Sequence, residues 1–503
     1  MKSHPQDEAE FADAYSPGEA RFEALRKKTG FFAAPALFLA LWLVPMPGLT
    51  PEAHTLAAIM ALVVCLWVTE ALPLAVTGLL GPTLAVVLGV APAQKAFSPF
   101  ADPIMFLFLG AFVLARAISE HNLDKRFAYR ILSLRWVGDS PGRILFAYGA
   151  VCCFISMWIS NTATVAMMFP IGLAIIRTLR STDGAGISNA YASAMMLICA
   201  FGASIGGLAT PVGTPTNLIG LGFIGRQLGR HVSFAEWMGF GVPIVVTLFL
   251  LLFGYLCVLC PAGVRRLNDA RRLLVQEHER LGSVTKGERN TMIAFGLTVA
   301  LWLTPGILTL ALGDAHPATA AFSRHVPESA AAMIGACLLF VLPLDWGEHR
   351  FTLDLRSALQ IDWGVMALYG GGIALGQLVF DTKLAEVAGQ SLAGFLPSSP
   401  HAGIPLFAAA AALTSEFTSN VASANMVVPV VILVAGATGL QGALAATMAS
   451  SLGFMLPIST PTNAIVYSSG CVRLSDMVKY GLLLDVIGVV VIYLASLFLL
   501  PAQ

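Results

Sequence analysis

The chain has 503 residues, 57% of them hydrophobic and 12% charged, an apolar content too high for an ordinary water-soluble domain. Its 29 basic and 29 acidic residues balance to a formal charge of zero, so nothing in the composition points to a nucleic-acid partner. What is left is an all-α polytopic membrane protein.

Residues 1–29 are a charged tail ending in RFEALRKKTG. The first apolar run, about 30–48, lies behind that segment, is as long as a span and has no small-x-small cleavage site before the next run. It therefore reads as an uncleaved first helix, with the N-terminus in the cytoplasm. Runs of roughly 18 or more apolar residues, enough to cross a hydrocarbon core about 30 Å thick, follow at about 53–74, 76–93 and 103–118. Residues 143–176 are predominantly apolar for 34 residues, with Ser160-Asn161 near the centre. Each half is short for a span, which predicts a re-entrant hairpin folded back at Ser-Asn, covered by protein or by a water-filled cavity. Residues 191–226 read as a helix broken at PVGTPTN, because proline removes an amide donor and Gly213 adds backbone freedom.

The next run, 234–261, ends with Cys257 and Cys260, a C-x-x-C with no second pair or histidine cluster, read as two packing residues. The loop 262–290 carries Arg265, Arg266, Arg271, Arg272, Arg280, Lys286 and Arg289, whereas 313–329, beyond the run 291–312, has only Arg324. That contrast puts the first loop inside and the second outside. A run at 330–345, a second hairpin over 402–436 folded at Ser419-Asn420, a second broken helix over 443–470 and a last run at 480–500 complete about ten crossings.

The second half restates the first. Both hairpins read S-N-x-A-[S/T]-x-x-M-x-x-P, with Ser160, Asn161, Ala163, Thr164, Met167 and Pro170 answered by Ser419, Asn420, Ala422, Ser423, Met426 and Pro429. PVGTPTN (211–217) is answered by PISTPTN (457–463), and Gly110 and Gly370 stand about fifty residues ahead of their asparagines. Such duplication is how many secondary transporters are built, with inverted halves meeting near the midplane. A single Ser-Asn in a membrane helix reads as an interhelical hydrogen bond worth about 0.6 kcal/mol; two copies, each with a second matched motif, read as a site. Broken-helix N-termini present free N–H groups to an anion, while serine hydroxyls, asparagine oxygens and unwound carbonyls suit sodium. The four motif stretches hold no Lys, Arg or His, so an anion there relies on cations, which predicts cation dependence. An intramembrane enzyme would need a nucleophile with its base or a metal cluster, and Ser160 and Ser419 have asparagine beside them instead. Occluding hairpins favour alternating access over a channel.

Ionisable residues within apolar segments are functional candidates. Glu70 and Asp362 sit near span ends and read as capped or paired with a loop arginine, and Arg116 as a snorkelling side chain. Asp485 lies in the last run. Glu416 either braces the second tip through backbone amides or carries a coupling proton.

These motifs, with WVTEALPLAVTGLL ending at Leu80, FLGAFVLARAISEHNLDKR (108–126) and DWGVMALYGGGIALG (362–376), resemble the divalent anion/sodium symporter family, the INDY-type dicarboxylate, citrate and sulfate carriers. The resemblance implies an 11-span homodimer in a bacterial cytoplasmic membrane, with two re-entrant hairpins in an inverted repeat and an elevator-type transport domain (136–261 and 401–503) moving against scaffold helices (30–135 and 291–400), the loop 262–290 lying between. It implies sodium-coupled transport of dicarboxylates of the succinate, malate and fumarate class; a sodium-independent exchanger, a proton-coupled carrier, and a citrate or sulfate carrier share the architecture. Two sodium ions are expected and no organic cofactor. By motif position, one sodium site would use Ser156, Ser160, Asn161 and the backbone at Gly213, and the other Ser415, Thr418, Asn420 and the backbone at Ser459. Substrate carboxylates would meet Ser160, Asn161, Thr162, Ser419 and Asn420, with Thr214 and Thr460 closing the pocket. Val421 replaces the threonine of a symmetric pattern, making that side more apolar. Thr216 and Thr462 stand where the family often has proline, and either free the backbone or add a hydroxyl.

Overall fold

In a hydrocarbon layer every backbone N–H and C=O has to be paired within the protein, and a helix does so within one segment. The computed structural model describes residues 17–181, 187–264, 270–313, 316–387 and 400–500; the first sixteen residues of the tail, together with Arg265 and Arg266, lie outside the described residues. Apart from single-turn helices and a two-stranded ribbon, β1 (Pro343–Asp345) and β2 (Arg350–Phe351), the regular structure is helical. The first half holds α1 (Pro17–Leu43), α2 (Pro51–Thr69), α3 (Leu74–Val87), α4 (Pro103–Glu120), α5 (Leu123–Leu132), α6 (Pro141–Ser156), α7 (Asn161–Ser181), α8 (Asn189–Gly206), α9 (Pro215–Gln227) and α10 (Phe234–Leu259). The second holds α11 (Ala270–Arg280), α12 (Lys286–Leu312), α13 (Pro317–His325), α14 (Glu328–Leu339), α15 (Trp363–Asp381), α16 (Pro400–Phe417), α17 (Asn420–Val434), α18 (Gly439–Ala449), α19 (Pro461–Tyr467) and α20 (Leu474–Phe498).

Among the described residues seven helices are long and apolar enough to cross a membrane. The runs at 76–93 and 330–345 give helices of only 14 and 12 residues. Gly89 ends the first: its positive φ lets its own N–H reach Val86 and that of Val90 reach Ala85, closing the last turn. The second runs into Pro343 and the ribbon, whose Thr352 hydroxyl and amide both bond the Leu342 carbonyl. Outward faces expose Leu310, Val258 and Phe498, an exterior that acyl chains solvate better than water does.

Of the two glycine landmarks, Gly110 marks a backbone crossing, whereas Gly370 packs against the Phe100 ring and its neighbour Gly371 makes the crossing. A Cβ on Gly371 of α15 would overlap the Gly78 carbonyl of α3, and one on Gly110 of α4 would lie 2.6 Å from Ala332 of α14. Thus α3 packs on α15 as α4 packs on α14, one short helix against one long helix in each case. Behind them, α6 and α7 form one helical hairpin and α16 and α17 another, each packed on a broken helix, α8–α9 or α18–α19. The two broken helices meet where the Phe201 and Phe454 rings pack edge to face, 5.0 Å between centroids.

Basic side chains tie helix ends together on one face of the molecule. Arg26 pairs with Glu70 at 3.2 Å, satisfying that carboxylate at the end of α2. Arg126 pairs with Glu288 and donates to the carbonyls of Leu281 and Gly282, fixing the segment that leads into α12. Lys286 reaches Leu344 of the ribbon, so α5, the start of α12 and β1 share this face.

Replacing Gly371 with alanine forces α15 off α3 and costs about 1–3 kcal/mol of stability, whereas Gly142→Ala, where a Cβ meets nothing within 4 Å, leaves stability unchanged. Thermal unfolding of the two purified variants, followed by size-exclusion chromatography, checks the contrast.

Candidate substrate and cation site

The two Ser-Asn pairs begin helices. In each hairpin the serine is the N-cap and the asparagine the first helical residue: Ser160 Oγ accepts from the Ala163 amide at 3.2 Å, and Ser419 Oγ from the Ala422 amide at 3.1 Å. A cap of this kind contributes about 1 kcal/mol. It also points a helix N-terminus, with its unpaired N–H groups, into the tip.

Each asparagine is held in the same way. Ser156 Oγ donates to Asn161 Oδ1 at 2.7 Å, and the Ser415 hydroxyl lies 2.7 Å from both Asn420 Oδ1 and the Ser450 carbonyl, two acceptors for its one proton. Each amide oxygen lies against a glycine of the broken helix. A Cβ on Gly207 would sit 2.5 Å from Asn161 Oδ1, and one on Gly453 would sit 3.3 Å from Asn420 Oδ1. A Cβ on Gly213 would meet the Gly207 and Met157 carbonyl oxygens at 2.5 and 3.0 Å. Uncharged amide, hydroxyl and carbonyl oxygens thus crowd behind each tip, a donor set that fits a hard cation such as sodium. Thr418 belongs to the second cluster, but its hydroxyl proton is engaged by the Thr414 carbonyl at 2.8 Å.

The T-P-T-N segments hold the unwound backbone. Asn217 donates through Nδ2 to the Gly207 and Thr210 carbonyls at 2.9 and 2.8 Å, and Asn463 donates to those of Gly453 and Leu456 at 2.9 and 3.0 Å. Each asparagine closes the break in its own helix. The second threonine of each motif adds a hydroxyl rather than freeing the backbone. Thr216 Oγ1 lies 2.6 Å from Ser451 Oγ of the other half; Thr462 Oγ1 lies 2.8 Å from Thr460 Oγ1 and 3.4 Å from Ser204 Oγ.

Glu416 braces the second tip. Its Oε1 accepts the Met455 amide at 2.8 Å and its Oε2 the Ser459 hydroxyl at 2.6 Å. The first copy has Met157 here, and the Thr210 hydroxyl donates to its carbonyl. Asp485 is buried beside the Glu416 carboxylate and the Phe454 backbone.

A cavity of about 870 Å³ lies between the tips. All eight residues expected at the substrate, Ser160, Asn161, Thr162, Thr214, Ser419, Asn420, Val421 and Thr460, line it, as does Ser459. Ser156, Gly213, Ser415 and Thr418 do not line it; they are buried behind the tips. Five helices of 13 or more residues, α3, α7, α9, α15 and α17, start at its wall, so their positive dipole ends favour an anion there. The opposite wall, from α3, α4 and α15, was not part of the sequence-derived site. It brings Arg116 and Ser119 of α4, Gln360 and Asp362. Arg116 therefore does not simply snorkel to a surface, and Asp362, as expected, caps α15 by accepting the Val365 amide at 3.1 Å. The sequence signals for this wall were two ionisable residues within or beside apolar runs, Arg116 and Asp362.

Comparison with known proteins agrees with this architecture. The family pattern described as the sodium:sulfate symporter transmembrane region matches residues 25–499. The sodium-dependent dicarboxylate transporter SdcS of Staphylococcus saprophyticus is 33% identical over 483 residues, covering 94% of this chain and 91% of its own length. The SdcS of Staphylococcus aureus strain RF122 is 32% identical with the same coverage. Two solved structures share the fold. The Alcanivorax borkumensis YdaH transporter has a TM-score of 0.53 at 15% identity, covering 84% of this chain and 90% of its own. Neisseria gonorrhoeae MtrF has a TM-score of 0.52 at 14% identity, covering 80% and 82%. The apolar helices and the family match define a multi-pass membrane transporter. The chain belongs to the sodium:sulfate symporter family, also called the divalent anion/sodium symporters.

The hydroxyl contact between the two halves has a measurable signature. Thr216→Val and Ser451→Ala each lower stability by about 1 kcal/mol, and the double variant loses less than the sum because one hydrogen bond is removed in both. A double-mutant cycle on unfolding midpoints checks it.

Proposed function

We propose that this protein is a sodium-coupled carrier of dicarboxylates of the succinate, malate and fumarate class, working by an elevator mechanism in a bacterial cytoplasmic membrane. The observation that carries the reading is the meeting of two hairpin tips without basic side chains, each with a buried Ser-Asn oxygen cluster behind it, at one cavity ringed by helix N-termini. A dianion taken out of water needs compensating charge, and the tips supply no basic side chain. Sodium held by Ser156, Ser160, Asn161 and the Gly213 backbone, and by Ser415, Thr418, Asn420 and the Ser459 backbone, would supply it. Each ion also holds a tip in the shape that presents its N–H groups to a carboxylate. Solute affinity then depends on the ions. The names of the Staphylococcus relatives support this pairing of ion and solute.

In this reading residues 136–261 and 401–503 move as a transport domain against scaffold helices drawn from 30–135 and 291–400, and two copies associate through the scaffold within the lipid. The cationic face carrying Arg26, Arg126 and Lys286 is cytoplasmic, as the excess of basic residues favours. The cavity opens toward it, since the α2–α3 and ribbon–α15 connections on that face reach its wall. The other face is clamped. Arg226 of α9 pairs with Asp102 at 2.6 Å and donates to Gln377 at 2.8 Å, joining the proposed transport domain to α4 and α15. Exposure of the site to that face requires this clamp to open.

Asn161→Ala and Asn420→Ala abolish sodium-dependent succinate uptake into proteoliposomes while the protein still inserts and elutes normally; wild-type uptake by both places the ions elsewhere. Comparing labelled succinate, citrate and sulfate with and without a sodium gradient tests the substrate class, and equal succinate uptake in both conditions rejects sodium coupling in favour of exchange. Val421→Thr adds a hydroxyl at the apolar side of the cavity and shifts the succinate-to-citrate uptake ratio without erasing transport, as measured in the same vesicles.

A further inference from the structure

Two of the residues lining the cavity are charged, Arg116 and Asp362. Asp362 is committed to capping α15. Arg116 is not committed to anything comparable. It lies on the face of α4 that also presents Phe112, Ala115 and Ser119 to the cavity. Its nearest acid, Glu120, approaches Nε no closer than 3.6 Å, beyond hydrogen-bond range. The pair also runs in the weaker i, i+4 order, with the cation N-terminal to the anion. Nε is itself buried and lacks a hydrogen-bond partner, which in a native interior calls for an acceptor. The guanidinium is a rigid fork matched to a carboxylate, permanently charged, and with its side chain 34% exposed it is accessible to a solute in the cavity.

We propose that Arg116, with the neighbouring Ser119 hydroxyl, forms a carboxylate-binding subsite on the α4 wall of the cavity, separate from the two tips, where a dicarboxylate docks on its way to or from them. The proposal rests on the dicarboxylate reading above. It assigns the solute's first fixed positive charge to the wall opposite the motif residues. Glu120 is the competitor for the same guanidinium, so removing Glu120 strengthens the subsite and removing Arg116 abolishes it.

The test is calorimetric titration of the purified full chain, in sodium buffer, with succinate, citrate and sulfate. Arg116→Gln weakens succinate binding about tenfold and Arg116→Lys, which keeps charge but not the fork, about threefold. Glu120→Gln tightens it. The gap between Arg116→Gln and the unaltered chain narrows at high ionic strength. A role in folding alone would move Arg116→Gln and Glu120→Gln in the same direction, and that result, or succinate affinity within twofold of the unaltered chain in a folded Arg116→Gln, overturns the subsite. Failure of the unaltered chain to bind succinate while binding citrate or sulfate overturns the substrate reading instead, and the Arg116 comparison is then decided on the anion that binds. Binding of none of the three overturns both.

Discussion

A polar side chain far from water has to find its partner within the protein, and the arrangement of this site follows from that constraint. The amide oxygens of Asn161 and Asn420 are each reached by a serine hydroxyl five residues upstream. Reaching back across the turn in this way places the asparagine at the first position of a new helix, with the preceding serine as its cap. The same bond therefore sets where the helix starts, which way its N–H groups point and where the oxygen cluster forms. Glycines at 207 and 453 let the broken helices come close enough to close the cluster from behind. A side chain at 207 would displace the asparagine oxygen, and one at 453 would crowd it together with the Ser415 hydroxyl.

The two copies are alike in these bonds and unlike around them. Glu416 receives two donors and ties the second tip to Met455 and Ser459, where the first copy uses a backbone carbonyl at Met157 and a glycine at 213. Thr162 on one side of the cavity faces Val421 on the other. The chemical frame is held constant while the contacts that surround each half differ, so the two tips are chemically related but not equivalent.

Much of this was legible in sequence because it is local. Ser-Asn inside a long apolar stretch, proline beside threonine and paired glycines in α4 and α15 each state a backbone requirement within a few residues, and the structure places them at tips, breaks and close crossings. Two kinds of feature were not legible. Helix length was one: 76–93 and 330–345 read as spans by hydropathy, but a positive-φ glycine and a turn into a ribbon end those helices early. The other was anything that depends on packing between distant segments. The partner of Thr216 is 235 residues away, which is why the motif alone left its role open. Arg116 reads as a surface cation until α3 and α15 are seen to complete a cavity wall beside it.

The hydroxyl pairs between the broken helices, Thr216 with Ser451 and Ser204 with Thr462, run in both directions across the middle of the protein. With the Phe201–Phe454 ring contact beside them, they join the backing of one hairpin tip to the backing of the other. Each broken helix also closes the oxygen cluster behind its own tip, so a change at this seam is felt at both tips at once.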